Sequence, residues 1–198
     1  MPSCQSASDA TVTRRAAVLL LTGSAWPALS SHAAADSSSP VKKLLQTGGC
    51  SVLLRHAATE PGVGDPPDFK LDDCRTQRNL SEAGRQDARR IGAWFASRKL
   101  KPSVVSSSAW CRCKDTSDLA FGQRTVWAAL NSTFGDRFAQ SDQTPVLRQA
   151  LARIPVRQFE VWVTHQVNIS AIAGQGPAMG EALILDREGR LLARSVFA

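Results

Sequence analysis

Cys50-Ser51-Val52-Leu53-Leu54-Arg55-His56 decides the fold. Five residues with little charge end abruptly on a guanidinium and an imidazole. A short apolar run of this length reads as a buried strand, and the polar pair marks its carboxyl end. Two further runs repeat the pattern. Val104-Val105-Ser106-Ser107 precedes Arg112, and Phe159-Glu160-Val161-Trp162-Val163-Thr164 ends at His165.

Helical periodicity separates these strands. Ser81 is a good N-cap, and Ala88, Ile91, Trp94 and Phe95 then recur at helical spacing to about Arg98. Arg112 to Phe121 reads as a second helix, stopped by Gly122. Residues 142–153 and 168–173 read as two more. Residues 57–79, rich in Gly and Pro, read as a long loop, and 123–141 as loop-rich. Ala182-Leu183-Ile184-Leu185 and Leu191-Leu192-Ala193 flank Asp186-Arg187-Glu188-Gly189-Arg190 as a closing hairpin. Strands alternating with helices predict a three-layer α/β domain: a mostly parallel sheet, helices on both faces, and an antiparallel C-terminal edge hairpin.

The N-terminus reads differently. Arg14-Arg15, the apolar run Ala16–Leu21 and the small residues Ala33-Ala34-Ala35 form a secretory signal pattern over residues 1–35. Thr13-Arg14-Arg15 is compatible with twin-arginine export. The apolar run is too short for a stable membrane span. Residues 36–48 read as a flexible leader and 49–198 as the folded domain. The expected location is therefore periplasmic or secreted.

The chain has 198 residues and a formal charge of +7. Loss of residues 1–35 removes Asp9, Arg14 and Arg15: Lys and Arg fall from 24 to 22, Asp and Glu from 17 to 16, leaving +6. The basic residues are dispersed, without a dense block interleaved with aromatics, which argues against nucleic acid as partner. A positive field that attracts a small anion is the simpler reading. Cys50, Cys74, Cys111 and Cys113 would remain, an even number with three possible pairings. Their spacing is poor for zinc, so no metal and no cofactor is expected.

In an open α/β sheet, ligands bind outside the carboxyl ends of the strands. Arg55, His56, Arg112 and His165 would meet there, and these are the only two histidines beyond residue 35. A neutral imidazole is a competent nucleophile toward phosphorus. Guanidinium groups grip phosphate oxygens in paired hydrogen bonds. A second histidine can donate a hydrogen bond to the transferring group.

Four segments then carry a resemblance. Leu54-Arg55-His56-Ala57-Ala58-Thr59 resembles the Arg-His-Gly signature of the histidine phosphatase superfamily, with its phosphoglycerate-mutase-like fold. Asn79–Ala88 resembles its Leu-(Ser/Thr)-x-x-Gly-x-x-Gln-Ala segment, Ser106–Thr116 its second-arginine segment, and Val163-Thr164-His165-Gln166 its second-histidine segment. The match runs in consistent order over about residues 50–195. Ala57 and Gln166 stand where the family more often has glycine.

The resemblance implies a phosphomonoesterase, active on phosphate esters or phosphoramidates, that works through a covalent phosphohistidine. His56 would be the nucleophile, with Arg55, Arg112 and His165 building the phosphate pocket and Thr59 at its side. It also implies a carboxylate donor between the second arginine and the second histidine. Asp136 is the choice, with Asp142 and Glu60 as rivals, although some members lack an obvious acid. Arg75, Arg78 and Arg85 could extend the basic rim, but read better as solvated loop and helix charges. The expected substrate is a small or envelope-associated phosphorylated compound, and the missing cap favours an open pocket for a bulky one. Alternatives are a phosphomutase, a non-catalytic phosphate- or anion-binding protein on the same fold, and an envelope or polysaccharide-binding accessory protein.

Overall fold

The computed structural model describes residues 40–62, 64–134 and 136–197. The expected signal segment, residues 1–35, and residues 36–39 of the expected leader lie outside the described residues. The elements run α1 (Pro40–Thr47), β1 (Cys50–Arg55), α2 (Glu82–Ser97), β2 (Val104–Ser107), α3 (Cys111–Phe121), β3 (Thr125–Val126), α4 (Arg137–Ala152), β4 (Phe159–Thr164), α5 (Gln166–Ala173), β5 (Glu181–Asp186) and β6 (Leu191–Val196). Single 3-10 turns occur at Cys74–Thr76 and Ala128–Leu130.

The strands form one sheet in the order β3-β2-β4-β1-β5-β6. β1, β2, β3 and β4 are parallel; β5 runs antiparallel to both β1 and β6. This is the predicted mostly parallel sheet with an antiparallel C-terminal pair.

Side chains alternate across a strand, so β1 supplies both faces. Val52 and Leu54 pack with Leu45 of α1, Ile91 and Phe95 of α2, and Cys113 of α3. Leu53 points the other way, into Leu147 and Leu151 of α4 and Ile169 and Ile172 of α5. A strand buried on both sides reads as the unbroken apolar run seen in the sequence. Among the described residues, no helix is long and apolar enough to cross a membrane.

Three expectations need correction. Residues 40–47 are not flexible leader but α1, because Leu45 is buried under the sheet. Residues 123–141 are not merely loop: they hold β3, a 3-10 turn and the start of α4. β3 was hidden because both its residues are exposed. The first turn of α4 was hidden because Phe138 is 87% exposed and breaks the apolar periodicity. α5 begins at Gln166, two residues earlier than expected, because Asn168 is turned inward, donating to the Leu130 and Asn131 carbonyls.

The loop after β1 is pinned to α2. Ser81 caps α2 by accepting from the Gly84 N–H at 3.1 Å, and its own N–H donates to the Ala58 carbonyl at 3.1 Å. The approach is so close that a Cβ on Gly84 would lie 1.8 Å from the Ala58 oxygen. Backbone cannot yield there as a flexible side chain would. Gly84→Ala is therefore expected to destabilise the domain by about 3 kcal/mol, the upper part of the usual overpacking range. A urea-unfolding midpoint indistinguishable from that of the parent would refute the tight contact.

Candidate phosphate-binding active site

The β1–β4 register sets the site. Arg55 lies opposite Thr164, and the His56 N–H donates to the Thr164 carbonyl at 3.1 Å. The next residues on the two strands are thus His56 and His165, whose rings meet edge to face at a centroid distance of 5.6 Å. β2 ends one strand away, and the Ser108 N–H donates to Val163 O at 3.0 Å. The chain then turns into α3, which carries Arg112 in its first turn. The structure therefore brings together four of the predicted residues: Arg55, His56, Arg112 and His165 line one cleft of about 690 Å³.

His56 is buried, and its Nδ1 lies 2.9 Å from the Ala57 carbonyl. A carbonyl only accepts, so Nδ1 carries the proton and Nε2 keeps its lone pair. Burial first, opposed by the Ala57 hydrogen bond and aided by the nearby Arg112, Arg55 and Arg78 charges, lowers the His56 pKa to about 3. The imidazole is neutral at neutral pH, with its unprotonated nitrogen available.

His165 is also buried, and its pKa is held well below the ordinary value by burial first and then by Arg112 and the other neighbouring groups. Its Nδ1 lies 3.5 Å from Arg112 Nη2, a long contact in which the guanidinium donates. Its Nε2 then donates to Ser108 Oγ at 2.9 Å. Ser108 in turn donates to Asn131 Oδ1 at 3.3 Å, which also accepts from the Ala109 N–H at 2.8 Å. In this tautomer His165 offers Arg112 a lone pair. Donating to a transferring group, as the sequence predicted, requires the other tautomer or a second proton. Cys113 packs under the same ring, its Sγ 3.5 Å from Nε2, and burial pushes that thiol up to about 12.

The cleft also holds residues the sequence did not assign. Arg78 lines it, whereas Arg75 pairs with Asp73 and Arg85 with Asp115. Arg55 donates through Nη1 to the Pro177 carbonyl at 3.0 Å. Its pKa is lowered by burial and then by the charges of Arg78 and Arg112. The Nε–H groups of Arg55, Arg78 and Arg112 are buried and find no partner within the protein. Three guanidinium groups around one cleft, with a single lining carboxylate among the described residues to balance them, suit an anionic ligand. Phe69, Trp110, Phe134 and Val167 form an apolar wall beside these charges.

Asp136 is placed elsewhere. It is the exposed N-cap of α4, accepting from the Ala139 N–H at 2.9 Å, and it does not line the cleft. Neither Asp142 nor Glu60 lines it either. Thr59 turns its hydroxyl toward Met179 Sδ at 3.7 Å and is not among the lining residues. The carboxylate that does line the cleft is Asp65, which accepts from Arg112 Nη1 at 2.8 Å, from Trp110 Nε1 at 3.1 Å and from the Arg78 N–H at 3.0 Å. Its loop is tied to α3 by a Cys74–Cys111 disulfide, which resolves the pairing left open by the sequence; Cys50 and Cys113 are free and buried.

Solved structures share this architecture. The protein of Agrobacterium tumefaciens assigned as the phosphohistidine phosphatase SixA superposes with a TM-score of 0.53 at 23% identity, covering 74% of this chain and 97% of its own. A protein histidine phosphatase SixA complexed with tungstate gives 0.50 at 14%, covering 73% and 95%. TTHB049 of Thermus thermophilus gives 0.51 at 19%, covering 73% and 98%. No protein-family model matches the chain, and no curated protein is significantly similar to it in sequence. By this likeness and its sheet order, the chain has the phosphoglycerate-mutase-like fold.

Proposed function

We propose that the protein hydrolyses phosphate monoesters or phosphoramidates, without a metal, through a phosphohistidine on His56. The observation that carries this reading is the tautomer of His56: Nδ1–H is committed to the Ala57 carbonyl, so Nε2 presents its lone pair in a cleft ringed by three arginines. In the first step Nε2 attacks phosphorus, the P–O ester or P–N bond breaks, and the leaving group takes a proton. In the second, water attacks the phosphohistidine, the N–P bond breaks and inorganic phosphate leaves. Arg55, Arg78 and Arg112 stabilise the charge on the transferring oxygens. The similarity to proteins named as phosphohistidine phosphatases, one of them holding tungstate, an oxyanion like phosphate, supports the reading.

Cleft size and lining support a bulky, partly apolar substrate. A water in the liquid occupies about 30 Å³, so a cleft of about 690 Å³ takes a phosphate and a large leaving group together. Phe134, 86% exposed at the mouth, is positioned to cover that group. The signal-like residues 1–35 and the Cys74–Cys111 disulfide support a periplasmic or secreted location.

Rapid quenching after exposure to a phosphoryl-labelled substrate is expected to trap an acid-labile, base-stable phosphoenzyme, absent in His56→Ala. Tight phosphate binding without label would instead indicate a non-catalytic anion-binding protein. The lowered His56 pKa also sets the pH profile. The neutral form is the nucleophile and persists down to about pH 3, so kcat/KM is expected to show no histidine protonation limb near pH 6.5. A limb at that pH, seen with a substrate that has no group titrating between about pH 5 and 8, would contradict the buried, neutral nucleophile. In Phe134→Ala, the preference for 2-phenylethyl phosphate over glycerol phosphate is expected to fall about tenfold, since a covered aromatic contact is worth about 1.5 kcal/mol. Parallel rates on both substrates would exclude Phe134 from substrate recognition.

A further inference from the structure

The arginine that the phosphatase reading needs most is already engaged. Arg112 Nη1 binds Asp65 Oδ1 at 2.8 Å, and both side chains are largely buried. Asp65 Oδ1 also accepts the Arg78 backbone N–H, and Oδ2 accepts the Trp110 indole N–H. A carboxylate so held occupies donors that a phosphate would use, because guanidinium groups grip carboxylate and phosphate with the same fork.

The backbone keeps Asp65 where it is. Gly64 before it adopts a left-handed conformation, φ +70°, and Pro66 after it restricts Asp65 to extended geometry. The Arg78 N–H anchors one oxygen, and the Cys74–Cys111 disulfide ties the loop to the residue preceding Arg112. An entering phosphate therefore meets a carboxylate that cannot readily swing away. Two negative groups on one guanidinium repel, and the repulsion is relieved when one takes a proton.

We infer that Asp65 is both an internal competitor for Arg112 and the proton donor to the leaving group, an inference that rests on the phosphohistidine reading for its second half. When substrate binds, Asp65 takes up a proton from solvent or from the monoanionic ester. The carboxylic acid then gives that proton to the ester oxygen as the P–O bond breaks and the Nε2–P bond forms. The regenerated carboxylate accepts a proton from the water that attacks the phosphohistidine. The groups that face Asp65 across the cleft are Arg55, Arg78, Arg112, His56 and His165. Without ligand, burial raises its pKa, but hydrogen bonding and charge from Arg112, with the Arg78 and Trp110 donors, prevail and hold it below the usual carboxylate value. An oxyanion on Arg112 reverses that balance.

Sulfate is a suitable probe because it stays a dianion between pH 5 and 7 and brings no proton of its own. Calorimetric titration of the whole protein in buffers of different ionisation enthalpy counts protons bound with the anion. Wild-type protein is expected to take up most of one proton per sulfate at pH 5, and Asp65→Asn none. At pH 7, Asp65→Asn is expected to bind sulfate about tenfold more tightly, having lost the competing charge. Its kcat on 2-phenylethyl phosphate should fall about 100-fold, as for loss of a general acid, against less than about fivefold on p-nitrophenyl phosphate, whose leaving group needs no proton. Sulfate binding without proton uptake in the wild type, a measurement that needs no variant, would overturn the competition. Equal losses of kcat on both substrates would overturn the donor role. If no substrate is turned over and no phosphoenzyme forms, the phosphohistidine reading falls and takes the donor role with it, while the sulfate titration still decides whether Asp65 competes for Arg112.

Discussion

Parallel pairing of β1 with β4 is the constraint on which the rest depends. The ladder from Cys50 opposite Phe159 to Arg55 opposite Thr164 places two histidines on adjacent strand ends. A slip of one residue would turn Leu53 toward the α2 face and separate the rings, because side chains alternate with a period of two. The register is held by burial on both faces: Val52 and Leu54 on one side, Leu53 on the other. Packing that stabilises the sheet thereby positions the imidazoles, and the His56 N–H to Thr164 bond continues the ladder one step past the strand.

Charge makes the second demand. Arg55, Arg78 and Arg112 share a cleft with Asp65 as the one carboxylate lining it among the described residues. Like charges this close disfavour one another, which shows in the lowered pKa of Arg55 and contributes to those of both histidines. Asp65 offsets part of that repulsion, and two of the three arginines remain without a carboxylate partner in the cleft. A cleft with an excess of partly buried cations is poorly matched to water alone and well matched to a multiply charged oxyanion. The histidines stay neutral chiefly because they are buried, and adding a proton to either would also place a further positive charge among the arginines.

Much of this was legible in the sequence where burial imposes a pattern. The three strands, α2 with its Ser81 cap and the closing hairpin all follow from apolar runs, caps and turn residues. The four strand-end residues followed because each stands just past such a run. The misses share a physical cause. α1, β3 and the first turn of α4 present too little buried surface to mark themselves, with Leu45 the one buried residue of α1 and both residues of β3 exposed. Asp136 lies in the expected interval of the chain but serves as a helix cap, a role open to any Asp before a helix.

Asp65 and Arg78 were missed for a different reason. Their segment, residues 57–79, is irregular, and irregular backbone leaves no periodicity to show which side chains turn inward. Its position is fixed instead by long-range contacts: the disulfide to Cys111, the Gln77 side chain accepting the Cys111 N–H at 2.9 Å, and the Arg112–Asp65 pair. All three contacts reach the first turn of α3. The loop that supplies a carboxylate and a third arginine is therefore anchored on the helix that supplies Arg112, and the relative placement of these groups does not depend on the loop's own stiffness. Gly and Pro around Asp65 read only as a long loop in sequence; in the fold they set one residue against one guanidinium, where an acid must sit if it is to feel the arrival of a phosphate.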